Sequence, residues 1–530
     1  MLDQTIIEQL KSHFADIDVK IDFVVRPSEH PQQGELMELL ESVASTSGAL
    51  SVRSDDAAFQ QPDFAVAAPA FSIYKSGKPT GVNFIGIPGG HEFSSLILAV
   101  LNTAGKGRLP DEGLANRIRR LKGGQSVRTF ISLTCENCPD VVQSLNQIAL
   151  VHGNLSHTMI DGQFAQADLS SLNIQGVPSV VIGRDLIHSG RASFIDLLAK
   201  LEDSLGIENT ASSVAEKTNL GHFEVVVIGG GPAGASAAIY SVRKGQKTAL
   251  ITDRMGGQLQ ETKGIENMIS VLYTEGQQLS ANIQEHLRSY PVTILEHRRV
   301  AKITTESPET KSPKEVTLDS GEILTCDSLI IATGAKWREL GVPGEKEYIG
   351  RGVAFCPHCD GPYYKGKKVS VVGGGNSGVE AAIDLAGICS EVTLFEFADQ
   401  LKADDVLVKK LQSISNIKVH TSAKTKAILG NGEKVIGLKW EDRKDGTSQQ
   451  VELDGVFVQI GLSPNSAMVK DLVETTKFGE IVVDGKGRTD IPGIYAAGDV
   501  TTVPFKQIII AMGEGAKVAL TAFEDKMRAG

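Results

Sequence analysis

Apolar residues recur with two different periods along the chain, and the two periods alternate. Short, largely apolar runs at residues 21–25, 129–133 and 223–228 predict buried strands. Stretches at 92–102 and 193–203, with an apolar residue every three to four positions, predict amphipathic helices. Strands that alternate with helices are typical of parallel α/β sheets. The predicted fold class is therefore α/β.

A Cys-x-x-Cys motif lies within the first two hundred residues. The strand predicted over 129–133 runs into Cys135 and Cys138, and a helical stretch follows. About forty residues later Pro178 opens another apolar strand, and the helix predicted over 193–203 closes the unit. These landmarks define one copy of an internal repeat.

The other copy precedes it and contains no cysteine. Its strand at 21–25 runs into Ser28 and Pro31, which take the places of the two cysteines when the copies are aligned. Pro69 then opens the later strand, and the helix predicted over 92–102 closes the copy. The first copy is therefore predicted to be redox-inactive, with a structural or partner-docking role.

This order of strand, Cys-x-x-Cys, helix, proline and strand resembles the thioredoxin fold, and the two copies resemble two fused thioredoxin folds. The resemblance implies that the peptide bond before Pro178 is cis. Cys135 lies just ahead of a predicted helix, where the helix dipole lowers the pKa of a thiol. Cys135 is the expected attacking thiolate, and Cys138 is expected to resolve the mixed disulfide.

A glycine-rich turn follows the strand predicted at 223–228 and opens a helix. Gly229, Gly231 and Gly234 have the G-x-G-x-x-G spacing of a dinucleotide site, and Asp253 ends the next strand 19 residues later. The turn would place a pyrophosphate at the helix N-terminus, and the carboxylate would face a ribose. An ordinary glycine-rich turn is the alternative for one such match.

A second match makes two nucleotide sites the favoured interpretation. Gly373, Gly375 and Gly378 repeat the spacing, and Glu396 follows 18 residues after the last glycine. A carboxylate there accepts both ribose hydroxyls of NADH and repels the 2′-phosphate of NADPH, and the nearby sequence offers only Lys402 as a cation. The prediction is an NADH preference; the alternative is a solvated charge at the strand end.

The pair of sites resembles the two-dinucleotide flavoprotein superfamily, which the stretches 330–338, 461–465 and 491–501 also match. The resemblance implies FAD in the first site, with Asp499 on its ribityl chain, and the nicotinamide nucleotide in the second. The implied FAD residues are Gly229, Gly231, Pro232, Ala233, Gly234, Asp253, Gly257, Gln258, Asn267, Thr333, Gly334, Gly498, Asp499 and Gln507. The implied nucleotide residues are Gly373, Gly375, Asn376, Ser377, Gly378 and Glu396.

A second Cys-x-x-Cys pair lies just ahead of the second nucleotide strand. Half a zinc site is the alternative, but Cys138 and Cys356 are 218 residues apart, whereas zinc ribbons need about 15–20. No metal is therefore predicted. Cys-x-x-Cys-Asp-Gly in this place resembles the low-molecular-weight thioredoxin reductases. The resemblance implies that Cys359 is the flavin-proximal sulfur, Cys356 the interchange thiol, and Asp360 the acid that protonates the leaving thiolate.

Composition narrows the class of protein. The 530 residues carry a net charge of −11, which argues against nucleic acid or an anionic membrane as the main partner. The first 19 residues predict an amphipathic helix rather than a signal peptide, and the expected compartment is the cytoplasm. Six cysteines are too few for a disulfide framework, so Cys326 and Cys389 are expected to be inert core thiols.

Small and polar residues at 205–218 predict a linker between the repeat and the nucleotide sites. The predicted domains are 1–105 (redox-inactive thioredoxin-like half), 106–203 (thioredoxin-like half with Cys-x-x-Cys), 204–219 (linker), 220–338 (FAD domain, first part), 339–460 (NADH domain with Cys-x-x-Cys) and 461–530 (FAD domain, second part).

Over its whole length the chain resembles the family of flavoproteins that form the F component of alkyl hydroperoxide reductase. That resemblance implies a homodimeric cytoplasmic FAD protein that uses NADH to reduce a peroxiredoxin, the C component of the same system, which then destroys peroxides. The implied path runs from NADH to FAD, to Cys356/Cys359, to Cys135/Cys138 and to the partner disulfide. It also implies that the NADH domain rotates, with hinges near 336–343 and 459–463.

Two other functions remain open at this point. The first is a thioredoxin reductase with a fused thioredoxin that serves many dithiol proteins. The second is a non-catalytic redox sensor that binds NADH and signals through its dithiols. Serine at Cys135 and Cys138 distinguishes an enzyme from a sensor, because an enzyme keeps flavin reduction and loses reduction of its partner.

Overall fold

The computed structural model describes residues 2–55, 68–135, 137–172, 174, 176–208, 218–262, 264–305 and 312–529, except for the side chains of Glu261, His358, Cys359 and Ala529. The chain forms two compact units, Met1–Glu216 and Lys217–Gly530. Most of the predicted linker, 209–217, lies outside the described residues. Its beginning is packed, because the Glu208 N–H donates to the Arg120 carbonyl at 2.8 Å.

The first unit is built from helices around one mixed sheet. Its helices are α1 (Gln4–Phe14), α2 (Gln33–Ala44), α3 (Phe93–Ala104), α4 (Glu112–Arg119), α5 (Cys138–His152), α6 (Gln166–Ser171) and α7 (Phe194–Leu205). Its strands are β1 (Ile21–Arg26), β2 (Leu50–Ser54), β3 (Ala70–Lys75), β4 (Lys78–Ile85), β5 (Ser126–Ile131), β6 (Ser156–Asp161), β7 (Ser179–Ile182) and β8 (Asp185–Ser189).

The predicted repeat is visible in how these strands pair. The sheet has the order β2-β1-β3-β4-β6-β5-β7-β8, so each half has the same four-strand arrangement. In each half the first strand pairs parallel with the second and antiparallel with the third. The halves join through the parallel pair β4 and β6. One apolar core, which includes Phe23, Phe71, Val142 and Leu198, runs through both.

Helix ends in this unit follow from local sequence. The Asp3 carboxylate accepts from the Ile6 N–H at 2.8 Å and so caps α1. Ser193 caps α7 in the same way, with its hydroxyl oxygen 3.3 Å from the Asp196 N–H. Helix α5 ends at Gly153, which has a φ of 74°. These local contacts fix where α1 and α7 begin and where α5 ends.

The second unit contains several separate sheets, whereas the described strands of the first unit form a single sheet. Its helices are α8 (Pro232–Arg243), α9 (Gly276–Arg288), α10 (Pro357–Asp360), α11 (Asn376–Ala386), α12 (Asp405–Gln412) and α13 (Ile508–Ala529). Its strands are β9 (Asn219–Ile228), β10 (Thr248–Thr252), β11 (Thr293–Glu296), β12 (Val300–Thr305), β13 (Lys314–Leu318), β14 (Ile323–Ile331), β15 (Ala335–Trp337), β16 (Val353–Ala354), β17 (Lys368–Val372), β18 (Glu391–Phe395), β19 (Ile417–His420), β20 (Ala423–Gly430), β21 (Val435–Asp442), β22 (Ser448–Glu452), β23 (Gly455–Val458), β24 (Leu462–Pro464) and β25 (Ile494–Ala496).

Two parallel sheets carry the two glycine-rich turns. In the first, of order β11-β10-β9-β14-β13-β12, strands β9, β10, β11 and β14 run parallel, and β25 joins on β14. In the second, of order β16-β23-β17-β18-β19, the strands are all parallel. The turns follow β9 and β17, at the carboxyl ends where α/β sheets bind ligands. The α/β fold class is confirmed.

Antiparallel strands were not predicted in this unit. Strands β12 and β13 extend the first sheet antiparallel to β14, and β20, β21 and β22 form a separate antiparallel sheet. Their sequences alternate charged and apolar residues, as in Ala423–Gly430, so one face is solvated. That pattern is weaker than the continuous apolar runs of the parallel strands.

The two segments predicted as hinges lie side by side. Strands β15 and β24 pair antiparallel and connect the halves of the second unit. Just beyond them the buried carboxylate of Glu345 accepts from the N–H groups of Leu340 at 2.8 Å and Gly341 at 2.7 Å.

Among the described residues, no helix combines the length and the apolar character that crossing a membrane requires.

Candidate active site

The first dithiol is closed as a disulfide between Cys135 and Cys138. Cys138 is fully buried, whereas Cys135 is partly exposed and its sulfur lies 3.8 Å from the carbonyl oxygen of Val177. The bond from Val177 to Pro178 is cis, which confirms the prediction. Cys135 is therefore the sulfur that another protein can reach.

Helix α5 begins at Cys138, and Pro139 occupies its first turn. The Asn137 side chain makes no cap hydrogen bond, so it leaves the N–H groups of that turn unneutralised. Together with the helix dipole they stabilise negative charge on the neighbouring sulfur. Glu136, which lies between the cysteines, is outside the described residues.

Glu92 is a site residue that no sequence motif indicated. It ends a short 3₁₀ helix, Gly90–Glu92, whose His91 N–H donates to the Leu133 carbonyl at 3.2 Å, just ahead of Cys135. The side chain is fully buried, and neither carboxylate oxygen has a hydrogen-bond partner among the described residues.

Burial raises the pKa of Glu92 to about 7, the nearby Ser95 hydroxyl lowers it in part, and the charge of Asp140 raises it again. Asp140 lies in the first turn of α5, so Glu92 is beside the helix end that carries Cys138. A carboxyl with this pKa can both donate and accept a proton near neutral pH. Glu92 comes from the copy that has no cysteine.

The corresponding place in the first copy is occupied differently. Ser28 and Pro31 stand where the cysteines would be, and the Arg26 guanidinium donates to the Ala68 carbonyl at 2.9 Å. Ala68 precedes Pro69 as Val177 precedes Pro178, so the carbonyl that Arg26 contacts is the equivalent of the one near the Cys135 sulfur in the second copy. The Arg26 guanidinium of the first copy thus makes the contact that the Cys135 sulfur makes in the second copy.

The first glycine turn is built for close approach of a ligand. A Cβ at Gly229 would collide with the Ala332 carbonyl, and one at Gly234 would collide with the Gly229 carbonyl, so both are needed for packing. Gly231 is different: its φ is −78° and a Cβ there would meet nothing within 4 Å. Because Gly231 has no side chain and borders open space, a pyrophosphate can lie against its backbone.

Several other predicted FAD residues surround this turn. Gly257 lies against Gly231, and Gly498 lies against Ala233, which follows Pro232 in the first turn of α8. Asp499 is half-buried, and burial raises its pKa. These residues lie together at the carboxyl end of the first parallel sheet.

Hydrogen bonds connect the remaining residues that were predicted to bind FAD. Thr333 donates its hydroxyl to the Asn465 carbonyl at 2.6 Å, and the Asn465 N–H donates to the Gly334 carbonyl at 2.9 Å. The Gln258 amide donates to the Ala335 carbonyl. Asn267 donates to the Gln507 side chain at 3.1 Å.

Asp253 lies where a ribose acceptor was predicted, but it already has a partner. Its Oδ2 accepts from two nitrogens of Arg299, at 2.9 and 2.5 Å. Its Oδ1 is buried and has no partner among the described residues. One oxygen anchors the carboxylate and the other is left to accept a ribose hydroxyl, so these residues fit FAD.

The second glycine turn repeats the arrangement of the first. Cβ atoms at Gly373 and Gly378 would collide with the carbonyls of Gln459 and Gly373, whereas one at Gly375, with a φ of −80°, would meet nothing within 4 Å. Asn376 and Ser377 lie in the first turn of α11. The open space beside Gly375 again fits a pyrophosphate.

Glu396 follows strand β18 and is fixed by backbone N–H groups. Its two oxygens accept from Gly374 at 2.5 Å and Ala398 at 2.7 Å. The structure also brings in a cation that the local sequence did not show: the Arg443 guanidinium lies 3.9 Å from the ring centroid of Phe397, the next residue. Arg443 belongs to the turn after β21, 47 residues along the chain from Glu396.

Cys356, one cysteine of the second dithiol, lies against the first nucleotide half. Cys356 is in a disulfide, and the Gln507 amide donates to its sulfur at 3.7 Å. The side chain of Cys359 lies outside the described part. Burial raises the pKa of Asp360 to about 6, and a hydrogen bond from the Cys356 backbone offsets part of the shift. Asp360 is therefore able to deliver a proton near neutral pH.

Cys326 and Cys389 are free and buried, as predicted. Burial raises the pKa of Cys326 to about 12 and that of Cys389 to about 11, so neither forms a thiolate readily. Among the described residues, no three His, Cys, Asp or Glu side chains are placed to share a metal ion.

Comparison with known proteins gives consistent results. Residues 223–515 match the family model described as pyridine nucleotide-disulphide oxidoreductase. The chain is 46% identical over 529 residues to the F component of alkyl hydroperoxide reductase from Pseudomonas putida, covering 100% of this chain and 99% of that protein. It is 44% identical over 528 residues to a Bacillus subtilis protein named NADH dehydrogenase, with 100% of both covered. Thioredoxin reductase from Streptococcus pyogenes superposes with a TM-score of 0.55 at 35% identity, covering 58% of this chain and 99% of that one.

Proposed function

The chain belongs to the family of F components of alkyl hydroperoxide reductase, within the pyridine nucleotide-disulphide oxidoreductases, and we propose that it is an NADH-dependent FAD disulfide reductase whose partner is the peroxiredoxin, or C component, of that system. Electrons from NADH pass through FAD and the two dithiols to the partner disulfide. The partner then reduces peroxides, so the system detoxifies them.

The residues of the first site would hold FAD. Gly231 leaves room for a pyrophosphate at the start of α8, Oδ1 of Asp253 would accept a ribose hydroxyl, and Asp499 would contact the ribityl chain. A flavin held by these residues would supply the means of taking a hydride from NADH and passing an electron pair to a disulfide. Gly375 and Glu396 hold NADH as the substrate at the second site.

Thiol exchange carries the electron pair from one dithiol to the other. The reduced Cys356 thiolate attacks the Cys135 sulfur, which forms a Cys356–Cys135 bond and releases Cys138 as a thiolate. The Cys359 thiolate then attacks Cys356, which restores the inner disulfide and releases Cys135. Cys135 is the partly exposed member of its pair, so it is the sulfur open to attack and the one that reduces the partner.

Two buried carboxyl groups handle the protons of these steps. Glu92 protonates the Cys138 thiolate when it leaves, and takes the proton back when Cys138 resolves the mixed disulfide with the partner. Its pKa of about 7 makes both directions accessible at neutral pH. Asp360, with a pKa of about 6, protonates the thiolate that leaves the inner disulfide.

The position of Cys356 is the observation that carries the proposal. Its sulfur accepts from Gln507, and Gln507 immediately precedes α13, the helix that packs against α8 where the first glycine turn ends. A disulfide cysteine is thus held beside the predicted flavin site by the second nucleotide domain. This placement supports electron transfer between a flavin and a dithiol.

Anaerobic titration with NADH tests the proposal. The flavin and the two dithiols are three two-electron centres, so each chain should take up about three electron pairs. With serine at Cys135 and Cys138, uptake should fall to about two, flavin reduction should persist, and reduction of the peroxiredoxin should stop. If each wild-type chain takes up only one electron pair, the proposed path through both dithiols is wrong.

Turnover assays with different disulfide substrates separate the two alternative functions. A non-catalytic sensor would show no multiple turnover with any disulfide, and a general thioredoxin reductase would reduce unrelated dithiol proteins as fast as the peroxiredoxin. We further propose a cytoplasmic homodimer. Light scattering should then give twice the chain mass of 56.5 kDa.

A further inference from the structure

Phe397 is a large aromatic side chain in an unusual position. It directly follows Glu396 at the end of β18, yet it is 55% exposed. One face of its ring is covered by the Arg443 guanidinium at 3.9 Å, a close cation–π contact. The other aromatic groups nearby, Phe395 and Trp440, are buried in the core of the domain. Phe397 is therefore presented to solvent together with a cation.

Arg443 is held in this place by its own backbone and side chain. Its Nη1 donates to the Phe397 carbonyl at 2.7 Å, and its N–H donates to the Ser422 carbonyl at 2.8 Å. The turn that carries it is braced by two carboxylates: Asp442 accepts from the Lys444 N–H and Asp445 from the Thr447 N–H, both at 2.9 Å. The stack is therefore held in place by contacts within the chain itself.

The stack lies next to the carboxylate proposed to bind a ribose. Both Glu396 oxygens already accept backbone N–H groups, so the orientation of the carboxylate is fixed. A nucleotide whose ribose hydroxyls meet Glu396 carries its base on the adjoining carbon of the same sugar. The base must therefore lie within a few ångströms of the residue that follows Glu396.

We propose that Phe397 and Arg443 form the platform on which the adenine of NADH stacks. A purine is flat and has two π faces, and both a guanidinium plane and an aromatic ring stack on it. This inference rests on the proposed function, which makes NADH the substrate. It assigns Arg443, from a turn distant in sequence, to binding the adenosine half of the nucleotide.

Reduced nicotinamide mononucleotide provides the test, because it carries the reacting ring and lacks the adenosine. Flavin reduction is followed with each donor by stopped-flow absorbance in the full-length protein. For Phe397→Ala and Arg443→Gln, the KM for NADH should rise about 5- to 150-fold with kcat unchanged, the range that loss of one base stack gives. The kcat/KM for the mononucleotide should stay at the wild-type value, and Phe397→Trp should restore the KM for NADH.

Phe478 provides a matched control. It is 61% exposed, and the Lys477 ammonium lies 5.0 Å from its ring centroid, but it belongs to the FAD half. Phe478→Ala should leave the KM for NADH unchanged. An unchanged KM in the Phe397 and Arg443 variants, or an equal loss with both donors, overturns the inference. A wild-type protein whose flavin neither donor reduces overturns the proposed function as well.

Discussion

The side-chain amide of Gln507 donates to the sulfur of Cys356 across 3.7 Å. Gln507 belongs to the FAD half of the second unit, and Cys356 to the nucleotide domain inserted between its two parts. Cys356 therefore lies beside the predicted flavin site, and it is only partly exposed. Exchange with another dithiol requires this contact to open, which agrees with the paired connections β15 and β24 acting as hinges.

We expect Tyr363 to stabilise this docked state. Burial raises the pKa of Tyr363, and the charge of Glu266 and hydrogen bonding to it, across the same two parts of the unit, raise that pKa further. Removing the hydroxyl with Tyr363→Phe weakens docking by one hydrogen bond, about 0.5–1.5 kcal/mol, so the undocked fraction should rise about 2- to 10-fold. Flavin reduction by NADH should then be faster by a similar factor in stopped-flow measurements.

Tyr290, whose hydrogen bond lies within a single domain, provides the control for that variant. The Tyr290 hydroxyl accepts from Arg243 at 2.7 Å within the FAD half. Tyr290→Phe should leave the rate of flavin reduction unchanged. Equal rates in the Tyr363 variant and the wild type would show that docking does not limit access of NADH.

Asp360 should impose a pH dependence on the inner dithiol. Its pKa of about 6 means that the protonated form falls tenfold for each pH unit above that value. Transfer of electrons from flavin to the dithiol should slow accordingly between about pH 7 and 9. Asp360→Asn should remove this dependence and slow the step by about 10²-fold or more, measured as flavin reoxidation after a single equivalent of NADH.

Asp454→Asn is a suitable comparison, because this carboxylate accepts from the Lys368 N–H at 3.2 Å and lies in a different loop from the dithiol. It should reproduce the wild-type profile. A pH-independent wild-type rate would remove Asp360 from the chemistry.

Glu92 should couple stability to catalysis in the first unit. Its pKa is raised from 4.5 to about 7, so the folded state binds the proton more tightly than the unfolded state. The stability that this proton binding contributes is fully present below about pH 4.5 and is lost as the pH rises to about 7. Glu92→Gln should therefore raise the free energy of unfolding at about pH 8, by up to about 3 kcal/mol.

Hydrogen exchange of the α3 and α5 amides would measure this effect, because both tryptophans, Trp337 and Trp440, report on the second unit. The same variant should slow reduction of the partner about 10²-fold and remove the inflection near pH 7, with flavin reduction by NADH unchanged. Glu41→Gln, at an exposed position of α2, should change neither property. Full activity of the Glu92 variant would refute its role in proton transfer.

Local patterns were sufficient to predict most of the framework. The apolar runs at 21–25 and 223–228 are strands, and the glycine spacings mark turns at the carboxyl ends of β9 and β17. The reason is that packing of strand against helix, and of Gly234 against Gly229, is decided by residues close in sequence. The cis bond before Pro178 was also predicted, from the position of the proline in the repeat.

The residues that were missed reach their sites from distant parts of the chain. Glu92 lies beside a helix that begins 46 residues later, and Arg443 stacks on a phenylalanine 46 residues before it. Neither has a local motif, because a single buried carboxyl or a single turn arginine is defined only by what packs around it. The pairing of the two halves through β4 and β6 likewise has no signal in either strand alone.

Glu396 should determine the choice between the two pyridine nucleotides. Each of its oxygens accepts one backbone N–H, so glutamine there would turn an amide N–H toward a backbone N–H as well as lose the charge. Glu396→Gln should lower kcat/KM for NADH about 10- to 100-fold and bring the NADH to NADPH ratio toward one. Glu380→Gln, at an exposed position of α11, should leave both values unchanged. Arg443 stacks on the next residue, Phe397, and its cation would attract a 2′-phosphate, so we expect the carboxylate to be the group that excludes NADPH. An NADH to NADPH ratio that stays high in the variant would assign that selection to another residue.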